Sequence, residues 1–322
     1  MNIIFNYNLI NSYLTNKGYE IMVTRKIKKV FKSKSVIEGA GVHLKRALGY
    51  NEVPLFDPFL LLDDFRSNKK EDYIKGFPWH PHRGIETITY VLEGNVEHKD
   101  SMGNGGNIQS GDVQWMTAGS GIIHQEMPKG NKDNLMYGFQ LWLNLPASNK
   151  MMDPRYQEIK NQEIPEIILK NNTRIKLICG SYNNLKGPVK DIISDPEYLD
   201  ITIPPNTEFI HSIKKGNTAF AYVIDGLGYF CKEREPFSYE EEGVNYFDIS
   251  RNPYASNGTL ILYDDGDQII VETENKPARF LLISGKPIKE PIAWYGPIVM
   301  NTQKELETAF LEYQNNTFIK HK

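Results

Sequence analysis

Cysteine is scarce in this sequence. Only Cys179 and Cys231 occur among 322 residues, far apart and outside any Cys-x-x-Cys pattern. Disulfide scaffolds and thiolate zinc sites need several suitably spaced cysteines, so the sequence favours neither class. We therefore expect a protein of a reducing compartment and place it in the cytoplasm.

Long apolar runs and charge of one sign are missing as well. No stretch of the sequence approaches the roughly 18 uninterrupted apolar residues that indicate a membrane-crossing helix. The net charge of -3 does not produce an overall positive potential that would attract nucleic acid or an anionic membrane. We expect neither direct nucleic-acid binding nor membrane insertion. Residues 1–22 lack the basic start and small-residue exit of a signal peptide, and are interpreted as a disordered N-terminal extension or a stretch upstream of the true start.

Helical periodicity is rare, whereas short β-rich runs recur along the chain. Examples are ETITYVLEG, TAFAYVIDG and RFLLISG, each ending in turn residues. Many short strands with such punctuation predict an all-β sandwich or barrel, and their number suits two units. The polar, proline-bearing stretch NLPASNKMMDPRYQEIKNQEIPEI predicts the break, which we place at residue 150.

One helix is predicted near the C-terminus, at residues 302–315. Thr302 and Glu305 have the spacing of a capping box. Apolar residues fall on one face at helical spacing, namely Leu306, Ala309, Phe310 and Tyr313. We expect this helix to pack against a barrel.

Two charged runs remain. The basic run RKIKKVFKSK, Arg25 to Lys34, alternates as a first strand with a solvated face does, and a localisation or partner signal is the alternative. Lys45 and Arg46 would extend that surface. The acidic run Glu240–Glu242 is expected to be solvated within a long exposed loop.

Two pairs of metal-ligand residues stand out against this background. His80 and His82 are one residue apart, as are His124 and Glu126. Residues of equal parity share a strand face, so Glu86 is expected to point the same way as His80 and His82. A single histidine is usually a core or rim residue, but two such pairs favour a metal site. Three imidazoles and one carboxylate suit Fe(II), Mn(II), Ni(II) or Cu(II).

The stretches FPWHPHRGIETITYVLEG and SGDVQWMTAGSGIIHQEMP resemble the two cupin motifs of the pirin family. The segments FQLWLNLP and EPIAWYGPIVMNT extend the similarity over most of the chain. The resemblance implies a bicupin of two facing, jelly-roll type barrels. Residues 23–150 would form the metal-binding barrel, and 151–322 a barrel without metal that includes the C-terminal helix.

The resemblance also implies a site. The expected ligands of one divalent ion, most readily Fe(II) with Ni, Cu or Mn as alternatives, are His80, His82, His124 and Glu126. Glu86 is the alternative: it would either be a ligand itself or form a hydrogen bond that orients a ligand. In the second barrel, His211 has no matching partner, so we interpret it as structural and expect no metal there.

Similarity to pirins that degrade quercetin implies a quercetin 2,3-dioxygenase, with a small enolic aromatic substrate and dioxygen. Glu126 would be both ligand and general base. Phe77, Trp79 and Trp142 would form aromatic walls, although core packing explains them equally well. Trp79 stands where pirins often carry a smaller or acidic residue. The alternative function is an iron-binding, redox-responsive transcription cofactor, which would act in the nucleus through a protein partner. A different enolic substrate is a third possibility.

Overall fold

The computed structural model describes residues 22–235, 237–243 and 252–321. Apart from Met22, the predicted N-terminal extension lies outside these ranges. Two α-helices occur in the described part of the chain, α1 (Val53–Phe56) and α2 (Gln303–Gln314). Neither of them has the length and apolarity that a bilayer crossing demands. Single 3₁₀ turns lie at Lys70–Asp72, Ala147–Asn149 and Asn161–Glu163.

Strands make up most of the regular structure, which confirms the all-β prediction. Those before residue 160 are β1 (Ile27–Lys32), β2 (Lys34–Glu38), β3 (Val42–Leu48), β4 (Phe59–Asp64), β5 (Phe77–His82), β6 (Ile85–Glu93), β7 (Asn95–Asp100), β8 (Gly105–Gln109), β9 (Val113–Thr117), β10 (Ile122–Lys129), β11 (Tyr137–Asn144) and β12 (Arg155–Ile159). Those after it are β13 (Glu166–Ile168), β14 (Arg174–Cys179), β15 (Ser181–Tyr182), β16 (Leu185–Lys186), β17 (Glu197–Ile203), β18 (Glu208–Ser212), β19 (Thr218–Gly228), β20 (Glu240–Glu241), β21 (Ala255–Ser256), β22 (Thr259–Tyr263), β23 (Gln268–Glu272), β24 (Ala278–Gly285), β25 (Ala293–Tyr295) and β26 (Ile298–Met300).

The strands form two barrels that repeat one pairing scheme. The first barrel joins a large sheet, β12-β9-β6-β11-β4-β3-β2, to a small sheet, β5-β10-β7-β8. The second joins the large sheet β13-β14-β17-β24-β19-β22-β1-β20 to the small pair β18-β23. The strands β11 and β24 occupy corresponding positions in the two large sheets. Strand β11 pairs with β4 and β6, and β24 pairs with β17 and β19.

The two large sheets face one another across a shared apolar core. Tyr90 on β6 donates to Asp200 on β17 at 2.8 Å, and Tyr222 on β19 donates to Asp64 on β4 at 2.9 Å. These bonds are reciprocal, because each barrel supplies one tyrosine and one aspartate. The core between the sheets takes buried side chains from both halves, including Phe59, Leu62, Phe139, Leu141, Phe220, Leu281 and Ile283. This arrangement confirms the prediction of two facing barrels.

Strand membership crosses the predicted division at residue 150 in both directions. Strand β1 pairs antiparallel with β22, so a strand within 23–150 belongs to the second barrel's sheet. Strand β12 pairs with β9 of the first barrel, although it follows residue 150. Ile27 and Val30 are buried in the second barrel's core, which accounts for the exchange of β1. The polar composition of a linker does not reveal such long-range pairing.

The two charged runs pair with one another, and the acidic run stays in solvent as expected, with the Glu240 side chain 78% exposed. Glu240 belongs to β20, which pairs parallel with β1. Lys29 lies 3.5 Å from Glu240, and Lys34 lies 2.5 Å from Glu242. Arg25 is buried and donates to four backbone carbonyls. The basic run therefore contains strand β1, and its Lys29 and Lys34 pair with acidic side chains.

Helix α2 packs as the sequence predicts. The Thr302 hydroxyl accepts from the Glu305 amide, and Glu305 reaches back to the amide of Thr302, which completes the capping box. Leu306 and Ala309 are buried in a cluster with β26. The helix lies against the first barrel, because the guanidinium of Arg83 donates to Glu312 at 2.7 Å.

Candidate metal centre

Two antiparallel strands of the first barrel's small sheet position the histidines. Strands β5 and β10 pair with His124 directly opposite His80. His80 and His82 have equal parity on β5, so both side chains point to the same face. Gly119 has a φ of +50°, and a Cβ there would lie 2.3 Å from the Met152 carbonyl oxygen. This glycine permits the tight turn by which the chain enters β10.

The three imidazoles converge through their Nε2 atoms. The Nε2 atom of His80 lies 3.1 Å from that of His82 and 2.9 Å from that of His124. His82 and His124 are fully buried, and His80 is partly exposed. Within the described ranges, no other set of three or more histidine, cysteine or acidic side chains brings its ligand atoms this close together.

Hydrogen bonds to carbonyl groups define the tautomers of two of these rings. The Nδ1 of His80 lies 2.8 Å from the Pro78 carbonyl oxygen, and that of His82 lies 3.1 Å from the Pro297 oxygen. A carbonyl only accepts, so each Nδ1 carries the proton and each Nε2 presents a lone pair. Burial lowers the pKa of His80, His82 and His124, which favours neutral rings.

Such an arrangement fits a divalent metal ion. Lone pairs about 3 Å apart repel each other unless a cation lies between them, and neutral imidazole nitrogen is a common ligand of first-row metals. Two nitrogens about 2.1 Å from one ion are separated by about 3.0 Å at a right angle and about 3.4 Å at the tetrahedral angle. The observed separations of 3.1 and 2.9 Å would therefore let the three histidines hold one such ion.

The carboxylate of Glu126 lies beside this group, outside the set of converging ligand atoms. A bulge between His124 and Glu126 interrupts the register of β10 against β5. The two oxygens of Glu126 accept from the Thr89 hydroxyl at 2.9 Å and from the Gln140 amide at 3.0 Å. A carboxylate has about four lone-pair positions, so two remain for a further partner.

The prediction that Glu86 points the same way as His80 and His82 is wrong. Strand β5 ends at His82 and β6 begins at Ile85, with Gly84 between them at a φ of +76°. Strand parity cannot be carried across that break. Glu86 shares its face of β6 with Ile88 and Tyr90, which pack in the core between the barrels, and it accepts from Thr117 at 2.7 Å.

A cavity of about 890 Å³ opens onto His80 and His82. Phe77, Trp79 and Trp142 line it, in agreement with the sequence prediction. Trp294 and Tyr295 from the C-terminal hairpin complete the aromatic wall. The lining also includes a polar group, in which Arg46 binds Asp63 through two bonds of 2.8 and 2.7 Å and Glu38 through one of 2.9 Å. Arg46 therefore does not extend a free basic surface.

Sequence reasoning missed His98 beside the site. This buried ring lies with its centroid 5.3 Å from that of His124 and stacks on Tyr156. It contacts Asp100 at 3.3 Å and Gln114 at 3.0 Å. Its place in the alternating stretch NVEHKD, where every second residue is buried, is a signal that could have identified it.

The other missed component is the C-terminal hairpin, β25 and β26, which reaches over the mouth of the first barrel. Its Pro297 carbonyl is the partner of His82. No histidine, cysteine, aspartate or glutamate occurs in AWYGPIVM, so a search for those ligand types could not have identified it.

His211 in the second barrel has a different environment. Its Nε2 contacts Glu197 at 2.9 Å, and its ring stacks on Tyr182 and Phe209. The interior around it is filled by apolar side chains, among them Phe209, Ile213, Ile269, Val271, Phe280 and Leu282. These contacts support the structural interpretation of His211.

The fold and the histidine group define a bicupin protein with a candidate metal centre in the first barrel. A family model described as Pirin matches residues 41–143, and one described as Pirin C-terminal cupin domain matches residues 198–319. The chain belongs to the pirin family.

Individual relatives cover nearly the whole chain. A pirin-like protein of Caulobacter vibrioides is 39% identical over 92% of this chain and 100% of its own. A protein of Thermoplasma acidophilum, named as a candidate quercetin 2,3-dioxygenase, is 37% identical over 80% of this chain and 98% of its own. The crystal structure of a quercetin 2,3-dioxygenase from Acinetobacter baumannii superimposes with a TM-score of 0.78 at 29% identity, covering 92% of this chain and 99% of that one.

Proposed function

We propose that this protein is a metal-dependent dioxygenase that acts on a planar, enolic aromatic compound, with quercetin-type flavonols as the first candidates. The observation that carries the proposal is the convergence of three neutral imidazoles, with Nε2 atoms 2.9 and 3.1 Å apart, beside an aromatic cavity of about 890 Å³. Cavities of roughly 300–1,000 Å³ lined by aromatic residues are typical of small-molecule sites.

The proposed ligands of a single divalent ion are His80, His82, His124 and Glu126. The donor set suits Fe(II), Ni(II), Cu(II) or Mn(II), and we propose Fe(II) first. When bound, such an ion supplies Lewis acidity for an enolate oxygen and a redox centre for dioxygen chemistry. The two lone-pair positions left on Glu126 are consistent with a role as fourth ligand.

The protein's own residues would bind and deprotonate the substrate. Trp142 and Trp294, whose ring centroids are 6.1 Å apart, offer apolar faces for a planar ring. The 3-hydroxyl of a flavonol must lose its proton to become the electron-rich form that reacts with dioxygen. Glu126 is the proposed base, because it is the carboxylate beside the histidines and the Thr89 and Gln140 bonds hold it in place.

The names of two similar proteins support this choice of reaction. One relative and one superimposed structure carry quercetin 2,3-dioxygenase in their names, and that structure is similar along 92% of this chain. The substrate itself is part of the proposal, since one fold serves many reactions.

Oxygen uptake tests the proposal. Protein reconstituted with Fe(II), Ni(II), Cu(II) or Mn(II) is given quercetin, and dioxygen consumption and flavonol loss are followed together. We expect coupled consumption in the wild type and none in His124→Ala treated identically, with His211→Ala as the matched control that keeps activity. Stoichiometric metal loading without uptake for any metal would contradict the proposal. It would favour the redox-responsive binding protein or another enolic substrate.

A further inference from the structure

The Pro297 carbonyl that holds His82 belongs to a distant part of the chain. Pro297 lies 215 residues after His82, in the connection between β25 and β26. The bond from His82 Nδ1 to this oxygen leaves the Nε2 lone pair facing the other two histidines. The tautomer of His82 therefore depends on whatever holds the C-terminal hairpin against the first barrel.

The side chain that joins these two segments is Lys150. It is 2% exposed, and its Nζ donates to the Gly84 carbonyl at 2.9 Å, the Val299 carbonyl at 3.0 Å and the Asn144 side-chain oxygen at 2.7 Å. Gly84 follows His82 by two residues, and Val299 follows Pro297 by two. The amine of Lys150 thus bonds both to the backbone beside His82 and to the backbone beside Pro297.

The segment that follows His82 packs directly against the segment that follows Pro297. The Val299 amide donates to the Arg83 carbonyl at 3.1 Å. A Cβ on Gly84 would lie 2.0 Å from the Val299 oxygen, so only glycine permits this approach. Three acceptors match the three protons of an ammonium group. Burial lowers the pKa of Lys150 to about 7, so most of the amine is protonated at pH 6.5.

We propose that Lys150 is a positioning residue of the metal centre: it locks the C-terminal hairpin so that the Pro297 carbonyl keeps His82 in the tautomer that presents Nε2 to the metal. The inference rests on the metal centre of the proposed function and is independent of the oxygen reaction. Loss of an outer partner of a metal-bound histidine typically lowers metal affinity about 10- to 100-fold.

The test compares full-length Lys150→Met with the wild type at pH 6.5. Ni(II) affinity is measured by calorimetry against a competing chelator, and the His82 tautomer by imidazole ¹⁵N shifts in the metal-free protein. We expect Ni(II) affinity to fall about 10- to 100-fold and the single His82 tautomer to give way to a mixture. Asn144→Ala removes one acceptor of the Lys150 amine. It should change the Ni(II) affinity and the His82 tautomer in the same direction but to a smaller extent. It serves as the test if Lys150→Met does not fold.

Arg25→Met is the matched control, because Arg25 is also a buried cation that donates to backbone carbonyls, but in the second barrel. It should lower thermal stability and leave both the Ni(II) affinity and the His82 tautomer unchanged. A folded Lys150→Met protein with wild-type affinity and tautomer would overturn the inference. Should the wild type itself bind no metal, the proposed function fails, and the tautomer measurement still decides the role of Lys150.

Discussion

The small sheets of the two barrels pair in the same way and differ in what they place inside. In the first barrel, β5 and β10 oppose His80 and His124. In the second, β18 and β23 oppose His211 and Ile269. The backbone ladder accepts either pair, because its hydrogen bonds do not depend on side chains. A metal site does depend on them, and an isoleucine at the opposing position leaves His211 to bond with Glu197.

The difference extends through each interior. Around His124, the first barrel contains the buried polar side chains of Glu126, His98 and Gln114. Gln114 bonds to His98 at 3.0 Å, and Glu126 accepts from the Gln140 amide at 3.0 Å. The second barrel's interior is mostly aliphatic and aromatic, with the His211–Glu197 pair among its polar groups. Burying an apolar side chain stabilises a barrel without any ion, whereas converging imidazoles need one. We infer a division between the barrels: the second mainly stabilises the protein, whereas the first carries the candidate metal centre.

The largest expected effect is on stability, from truncation in the second barrel. Phe209 is 1% exposed in the apolar interior, so Phe209→Ala should lower the free energy of unfolding by about 3–5 kcal/mol. Chemical denaturation measures the change. Ile210→Ala on the same strand is the control, because Ile210 is 46% exposed and its truncation should cost less than about 0.5 kcal/mol. Ni(II) affinity of folded Phe209→Ala should stay at the wild-type value, and a loss would break the proposed division.

Metal affinity should depend on the first barrel and be insensitive to a substitution in the second. His82→Ala removes a proposed ligand, and we expect the Ni(II) dissociation constant to rise more than about 100-fold, beyond the range for loss of an outer partner. His211→Ala should leave the constant unchanged, because that ring bonds to Glu197 in the other barrel. Calorimetry with chelator competition measures both variants. Equal effects of the two substitutions would show that metal binding is not confined to the first barrel.

The smallest effect concerns acid sensitivity of the metal-free protein. Burial lowers the pKa of His82 and His124 in the folded state below the ordinary value of 6.5. Below pH 6.5 the unfolded chain therefore binds more protons than the folded chain, and the free energy of unfolding falls as the pH drops. Between pH 6.5 and 6.0, each ring contributes at most about 0.7 kcal/mol.

Denaturation series at several pH values check this sign. His124→Gln should flatten the acid slope, because it removes a buried ring that is neutral when folded. His43→Gln is the control, since the His43 side chain is 58% exposed and remains in contact with water when the chain is folded. A slope that His124→Gln leaves as steep as in the wild type would contradict the assignment of a neutral buried ring.

Sequence patterns predicted those features that depend on neighbours along the chain. Alternation and turn residues predicted the strands, and the Thr302–Glu305 spacing predicted the start of α2. The spacing of His80 and His82 on one strand predicted their common face. Each of these follows from a local period, which tertiary contacts reinforce without reversing.

Local periods fail where the chain breaks its own register. Glu86 has the parity of His80 and His82, yet the turn at Gly84 starts a new strand whose face points into the core between the barrels. The acidic run has the composition of a solvated loop and is exposed, but its composition does not reveal that Glu240 pairs with Lys29 of β1 and Glu242 with Lys34 of β2. A local turn decided the orientation of Glu86, whereas contacts distant in sequence decided the pairing of the two charged runs.

The sequence by itself determined an all-β chain with two units, a C-terminal helix and histidines spaced to share a strand face. Only the tertiary structure decided that β1 crosses to the second barrel, that Glu126 bonds to Thr89 and Gln140, and that the end of the chain supplies the partner of His82. The physical reason is that strand periodicity specifies which way a side chain points relative to its own backbone. What it meets there depends on distant segments, such as Pro297, which lies 215 residues after His82, brought together when the whole chain buries its apolar surface.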